Sequence, residues 1–336
     1  MIHFAIIGCG HIANKHIESI NSTDGAVLTA LCDNNPQRLL ELEEKWNVPV
    51  YLNMDEMLQQ CPHIDVVCIC TPSGLHTSMA IAAAKAKKHL IIEKPVTLTL
   101  EDVDRIAAAA EENGVLVTVV HPNRYRPAIR QLKHALDQGM FGKLSHVNAT
   151  VRWNRSQAYY DQAPWRGTKA MDGGVLMNQA IHSLDLLIWL FGPVKEVKSL
   201  VDTRFRKIES EDVAVAVLRF ESGHLGVVEA CTTVYEQNLE ESIAVFGEHG
   251  YAEIGGRTAN WIKQWNCSSM TKEETEVLIS EIERDPFGKP GHQCIIEDMV
   301  EAIRDHRPPA ITLEDGRNAL KLVIDMVENG SPQVVM

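Results

Sequence analysis

Long apolar runs are missing from this chain of 336 residues. The longest candidate, Leu184 to Phe191, is broken by Asp185 and falls well short of the roughly 20 apolar residues that span a bilayer. Met1 leads straight into the strand-like "IHFAII" with no basic leader, so a cytoplasmic protein is expected. Cys-x-x-Cys spacing is absent as well. The eight cysteines are scattered, and Cys32, Cys68 and Cys70 sit inside apolar runs. They read as reduced core thiols, which leaves no metal or disulfide set to expect. Positive charge is scarce. A formal net charge of −13 excludes a general nucleic-acid binder and disfavours anionic membrane surfaces. Internal repeats and low-complexity linkers are missing too.

What is present is a chain that is 45% hydrophobic and long enough for two domains. Up to about residue 122, short apolar runs (3–7, 27–32, 66–70, 89–92 and 116–120) alternate with helix-like stretches. One of these, "NPQRLLELEEKW", opens on Asn35 and Pro36 in cap and first-turn positions. Continuous apolar strands separated by helices predict a parallel, doubly wound Rossmann sheet for residues 1–122. From 123 to 336 the pattern changes. A helix is followed by long alternating strands at 211–221, 223–235 and 241–256, with turns at Ser222-Gly223 and Glu248-His249-Gly250. This predicts a second α/β domain around a large, mostly antiparallel open sheet, ending in helix over 291–329. The acidic run Thr271 to Asp285 reads as a solvated connection.

Directly after the first strand, "GCGHIA" sets Gly8, Gly10 and Ala13 in a G-x-G-x-x-A pattern. The first glycine permits a tight turn and the second lets backbone approach a pyrophosphate. Ala13 permits close helix–strand packing. His11 and Ile12 lie in the same turn, where a helix N-terminus offers N–H groups to phosphate. Asp33, at the end of the second strand, fits the acid that grips the adenosine ribose. It repels a 2′-phosphate, and the nearest arginine is Arg38, so NAD is favoured over NADP. Thr71, Pro72 and His76 follow the next strand at the same sheet edge, with His76 either touching cofactor or serving structure.

The run "HLIIEKP" ends a core strand on Glu93, Lys94 and Pro95. An ammonium at that edge would lower the pKa of a substrate hydroxyl as hydride departs. Pro95 could set a sharp, even cis, turn. In "MDGGVLMNQAIHSLDLLIWLFG", Asn178, His182 and Asp185 recur at spacings of four and three, which puts them on one helix face. A histidine so flanked can act as acid or base, and Lys94 and His182 are the candidate catalytic pair.

The G-x-G-x-x-A opening, "EKP" and "DGGVLMNQAIHSLD" resemble the Gfo/Idh/MocA family of sugar and cyclitol dehydrogenases over essentially the whole chain. The resemblance implies that Lys94 and His182 line the hydride-transfer site, and that a homodimer or homotetramer forms. Many members have Asp where this chain has Asn178. The segment from Val151 to His182 resembles the branch that oxidises the 3-hydroxyl of UDP-N-acetylglucosaminuronic acid before aminotransfer in surface-polysaccharide synthesis. That branch often reads KQNR where this chain has His121-Pro122-Asn123-Arg124.

The residues argue the same way by themselves. Positions 151–170 carry Arg152, Arg155, Arg166 and Lys169 against Asp161 alone, interleaved with Trp153, Tyr159, Tyr160 and Trp165. Arginines suit pyrophosphate and carboxylate, and aromatic rings suit a uracil or pyranose face. Asn123, Arg124, Arg155, Tyr159, Tyr160, Arg166, Asn178 and His182 are therefore the candidate substrate contacts. Two rival readings are a dehydrogenase of the same fold acting on inositol or a free sugar, and a non-catalytic NAD-binding regulator.

Overall fold

The computed structural model describes residues 1–330. It divides into two compact units: Met1–Pro122 with Pro290–Arg317, and Asn123–Lys289 with the segment from Asn318 onward. The excursion 290–317, which sequence pattern assigns to the second domain, therefore belongs to the first unit.

In the first unit six strands form one parallel sheet: β1 (Ile2–Ile7), β2 (Ala26–Cys32), β3 (Val50–Tyr51), β4 (Val66–Ile69), β5 (His89–Ile92) and β6 (Val117–Val119). Their order is β3-β2-β1-β4-β5-β6, so the chain reverses direction across the sheet between β1 and β4. All four residues of β4 are buried, as a strand covered on both faces requires. The helices between strands are α1 (Ala13–Asn21), α2 (Pro36–Trp46), α3 (Met54–Gln60), α4 (His76–Lys85) and α5 (Leu100–Asn113). Asn35 caps α2 by accepting the N–H of Arg38, with Pro36 in the first turn as the sequence predicts. The two-residue β3 and seven-residue α3 are too short for periodicity to have revealed them.

The second unit holds α6 (Pro127–Asp137), β7 (Leu144–Arg152), α7 (Gln157–Tyr160) and α8 (Ile181–Phe191). After these come β8 (Val194–Asp202), β9 (Val213–Phe220), β10 (Leu225–Cys231), β11 (Glu240–Gly247), β12 (Gly250–Gly255), β13 (Trp261–Cys267) and α9 (Lys272–Arg284). The seven strands run in the order β13-β12-β11-β7-β10-β9-β8. Neighbours are antiparallel except β10 and β7, which run parallel. Alternation along β9 sends Ala214, Ala216, Leu218 and Phe220 inward, where they meet Leu184, Leu187 and Phe191 of α8 in one hydrophobic core. The opposite face leaves Val215, Val217, Leu225 and Val227 exposed.

The acidic run 271–285 is a helix, not a plain connection. Thr271 and Glu274 form a reciprocal capping box at the start of α9, and this satisfies the N-terminal N–H groups without burying any residue. The remaining helices are α10 (Gly291–Asp305), in the first unit, and α11 (Leu313–Gly330).

One buried ion pair anchors the second unit. Arg124, 6% exposed, donates from Nε and Nη2 to the two carboxylate oxygens of Asp185, 1% exposed, at 2.8 and 2.6 Å. Asp185→Ala removes the bidentate carboxylate partner of a buried guanidinium, and a loss of about 3–5 kcal/mol is expected in denaturant unfolding. A loss below about 1 kcal/mol would show that water reaches Arg124.

Candidate active site

The carboxyl ends of β1, β4 and β5 gather the first set of candidate groups, on both sides of the point where strand order reverses. Gly8 ends β1 with φ +87°, and a Cβ there would lie 2.7 Å from the backbone of Cys70 and Thr71. Only glycine fits that close approach between two loops. At Gly10 a Cβ would meet nothing within 4 Å, so the backbone faces open space there. α1 begins at Ala13 with no side-chain cap on its N–H groups, which suits a pyrophosphate. A depression of about 360 Å³ lies beside this turn, lined by Cys9, Gly10, His11, Asn14, Arg38 and Lys45 among others.

Asp33 is buried and makes three contacts. Its Oδ2 accepts the N–H of Cys9 at 2.7 Å and Arg38 Nη1 at 3.1 Å, and its Oδ1 accepts the N–H of Asn35 at 2.8 Å. A carboxylate offers about four lone-pair positions, so roughly one remains for a ribose hydroxyl. Asp33 thus has a second task that the sequence did not suggest, which is to fasten the glycine turn. Arg38 is engaged with it, in keeping with an unphosphorylated ribose. These residues fit NAD. Burial, reinforced by Asp33, pushes the Cys9 thiol up to about 12, so it stays a protonated core group.

After β4 come Thr71 and Pro72, then His76 as the first residue of α4. His76 is fully buried. Its Nε2 lies 2.9 Å from the carbonyl oxygen of Thr71, and its Nδ1 lies 3.0 Å from that of Pro95 and 3.3 Å from that of Val96. Both ring nitrogens therefore face protein oxygens, and His76 serves the loops. Its own pKa is lowered, with burial the largest cause.

After β5, Glu93 is 6% exposed, Lys94 is half-buried, and the Lys94–Pro95 peptide is cis. Glu93 Oε1 accepts from His16 Nε2 at 2.8 Å and lies 3.5 Å from His292 Nε2, while Oε2 accepts the N–H of Lys94 at 3.2 Å. Burial pushes the Glu93 carboxyl up, but the hydrogen bond from His16 and the nearby His292 ring outweigh it and hold it well below its usual range. The three ligand atoms lie within 4.8 Å of one another, a spacing one divalent cation could bridge. The 2.8 Å contact is in itself an ordinary charge-assisted hydrogen bond. Sequence pattern missed both histidines. His16 lies three residues beyond Ala13 on the buried face of α1, a readable signal, whereas His292 arrives from far down the chain.

The second unit carries the other candidates. His182, half-buried, is the second residue of α8, which is preceded by a π-helical turn over Leu176–Ala180. The i→i+5 pattern widens that turn, so the spacing from Asn178 to His182 falls short of a full revolution. The single face expected for Asn178, His182 and Asp185 is altered accordingly. Asn178 donates to Asp172, whose other oxygen accepts the N–H of Gly167 at 2.7 Å. Asp185 is occupied by Arg124. Glu211, pushed upward by burial, accepts the N–H of Leu176 at 2.9 Å and braces the π turn. Asn123 reaches Glu241 at 3.3 Å, a carboxylate shared with Arg126 and Ser183. Asn123 and Arg124 thus sit in the unit's buried polar frame.

The basic aromatic segment divides in two. Arg152 points along the sheet into Glu229 and Glu240, at 2.6 and 2.8 Å, and Tyr160 is buried with its hydroxyl 3.3 Å from Thr232. Arg155, Tyr159 and Arg166, by contrast, form a stack. The Arg155 guanidinium carbon lies 5.0 Å from the Trp153 ring centre and 5.3 Å from that of Tyr159. That of Arg166 lies 4.3 Å from Tyr159 and 4.7 Å from Trp165. The hydrogen bonds of Arg155 and Arg166 go to neutral oxygens of Asn154, Asn238 and Tyr159. By these contacts two positive charges stay uncompensated beside aromatic faces, a surface suited to a planar, anionic ligand.

Known proteins match both units. Residues 2–121 match the family model described as oxidoreductase family, NAD-binding Rossmann fold, and residues 129–253 match the Gfo/Idh/MocA C-terminal domain. The crystal structure of the WlbA dehydrogenase from Bordetella pertussis in complex with NADH and UDP-GlcNAcA is 36% identical, with a TM-score of 0.93, covering 98% of this chain and 95% of that one. The WlbA dehydrogenase from Chromobacterium violaceum, with the same two ligands, is 35% identical at a TM-score of 0.91, over 98% and 93%. Myo-inositol 2-dehydrogenase of Thermotoga maritima is 30% identical over 96% of this chain and 94% of its own. With the glycine turn after β1, the buried acid after β2 and both domain matches in agreement, the chain belongs to the Gfo/Idh/MocA family and is an NAD-dependent dehydrogenase of the sugar type.

Proposed function

We propose that the protein oxidises the 3-hydroxyl of UDP-N-acetylglucosaminuronic acid to the 3-keto sugar, a cytoplasmic step of surface-polysaccharide synthesis. The observation that carries this reading is the stack of Arg155, Tyr159 and Arg166 with Trp153 and Trp165. A free polyol has no use for two guanidinium groups on aromatic faces, whereas a nucleotide diphosphate sugar with a carboxylate does. The two structures at 36% and 35% identity, both complexes with NADH and UDP-GlcNAcA, support it.

Bound NAD would supply the acceptor for the hydride that leaves C3. His182 accepts the proton of the 3-hydroxyl as the C–O bond becomes C=O, and the Lys94 ammonium stabilises the oxyanion that develops. The two groups can exchange these roles, since either can titrate to suit. Arg166 and Asn178 orient the sugar. Glu93 holds the Lys94 backbone through its N–H, and Asp33 with the glycine turn holds the dinucleotide. A non-catalytic regulator is disfavoured by the presence of both Lys94 and His182. The 30% identical myo-inositol 2-dehydrogenase keeps inositol oxidation as the second reading.

Steady-state assays with UDP-N-acetylglucosaminuronic acid and with myo-inositol separate the two, and turnover of myo-inositol alone would overturn the nucleotide-sugar reading. Lys94→Ala should lower kcat by about 10²–10⁴, the usual worth of a proton-handling group, with NAD affinity nearly unchanged. Full turnover in that variant would remove Lys94 from the mechanism. The double substitution Arg155→Ala with Arg166→Ala should raise KM for the nucleotide sugar by at least about tenfold, roughly 1.4 kcal/mol, and an unchanged KM would return the stack to ordinary surface. A homodimer is proposed through the exposed sheet face carrying Val215, Val217, Leu225 and Val227. Val217→Asp should then halve the mass measured by light scattering, and a monomeric wild type would refute the interface.

A further inference from the structure

His76 is fully buried at the start of α4, and every partner of its ring is a main-chain carbonyl. Carbonyls only accept, and a neutral imidazole has a single N–H. The ring must therefore choose, or else carry a second proton that burial opposes and the nearby Glu93 carboxylate favours. Nδ1 faces two oxygens, Pro95 O at 3.0 Å and Val96 O at 3.3 Å, whereas Nε2 faces only Thr71 O at 2.9 Å. A bare lone pair at Nδ1 would repel two carbonyls, and one at Nε2 repels one. Nδ1 thus carries hydrogen both in the preferred neutral tautomer and in the imidazolium.

That hydrogen points at the carbonyl of Pro95, in the peptide that follows the Lys94–Pro95 pair. On the other side, Glu93 Oε2 accepts the N–H of Lys94 itself at 3.2 Å. Lys94 and Pro95 lie between these two anchors, and Lys94 is the residue placed at the reacting hydroxyl. We propose that His76 is a positioning residue for Lys94: by donating its Nδ1–H to the carbonyl of Pro95, it fixes the Lys94–Pro95 turn against α4. The inference rests on Lys94 being the reacting group. A misplacement of about 1 Å at such a group costs on the order of 10² in rate.

Two amide substitutions divide the ring's functions. In His76→Asn the amide nitrogen is two bonds from Cβ, as Nδ1 is, and can still donate to Pro95. In His76→Gln it is three bonds away, as Nε2 is, and can reach Thr71 alone. Both variants lose the imidazole and should lose comparable stability. With saturating NAD and UDP-N-acetylglucosaminuronic acid, H76Q should lose about 10² in kcat, while H76N stays within about tenfold of wild type. NAD affinity should change little in either. Crystal structures should show the turn at Lys94 displaced in H76Q and retained in H76N. Equal kcat in the two variants, or an unmoved turn in H76Q, overturns the proposal.

A retained turnover in Lys94→Ala defeats the catalytic reading instead, while the turn's position in H76Q still decides what His76 holds. If H76Q yields too little folded protein, nitrogen-15 histidine NMR of the wild type reads the ring directly. A protonated Nδ1 is expected, and an Nε2–H tautomer with a bare Nδ1 sinks the idea.

Discussion

The first unit depends on one buried carboxylate. Glu93 ends β5, with Oε1 toward His16 of α1 and His292 of α10 and Oε2 on the N–H of Lys94. A carboxylate buried without partners would take up a proton, and here the hydrogen bond from His16 and the adjacent His292 ring outweigh the cost of burial. That single ionised group thereby ties the helix of the glycine turn, the strand end bearing Lys94 and a returning segment into one arrangement. It also explains why a core strand can run straight into an acid, a base and a proline: the acid is an internal anchor, and the candidate lysine follows it at the strand end.

Much of this architecture is legible in the chain. Continuous apolar runs placed five parallel strands to within a residue or so, because a strand covered on both faces leaves no room for alternation. G-x-G-x-x-A, Asp33 and the residues after β4 and β5 fall at neighbouring strand ends because the doubly wound topology puts them there. Resemblance to known dehydrogenases then supplied what no spacing could, the pairing of Lys94 with His182 as candidates for one reaction.

The rest was hidden for identifiable reasons. Arg124 and Asp185 are 61 residues apart, and nothing in either's surroundings announces a bidentate buried pair. Arg152 and Arg155 look alike in sequence, yet strand register delivers Arg152 to Glu229 and Glu240 while Arg155 leaves the sheet to stack on rings. The parallel contact of β10 with β7 follows from where β11 and β9 attach, a long-range matter. The Thr271-x-x-Glu274 spacing carries the capping signal of α9, yet the acids around it read equally well as a solvated connection.

The discontinuity of the first unit bears on how the chain is made. α10 supplies His292 and the buried side chains of Ile295, Ile296, Met299 and Val300, and it packs against α1 and β2. A ribosome releases the N-terminal half long before those residues exist. Until α10 emerges, Glu93 and the flank of α1 lack their cover, so the nucleotide-binding unit can complete its fold only after residues 123–289 of the other unit have been made. Vectorial folding is thus inverted here: the intervening unit has most of its chain in hand while its predecessor still waits for its last helix.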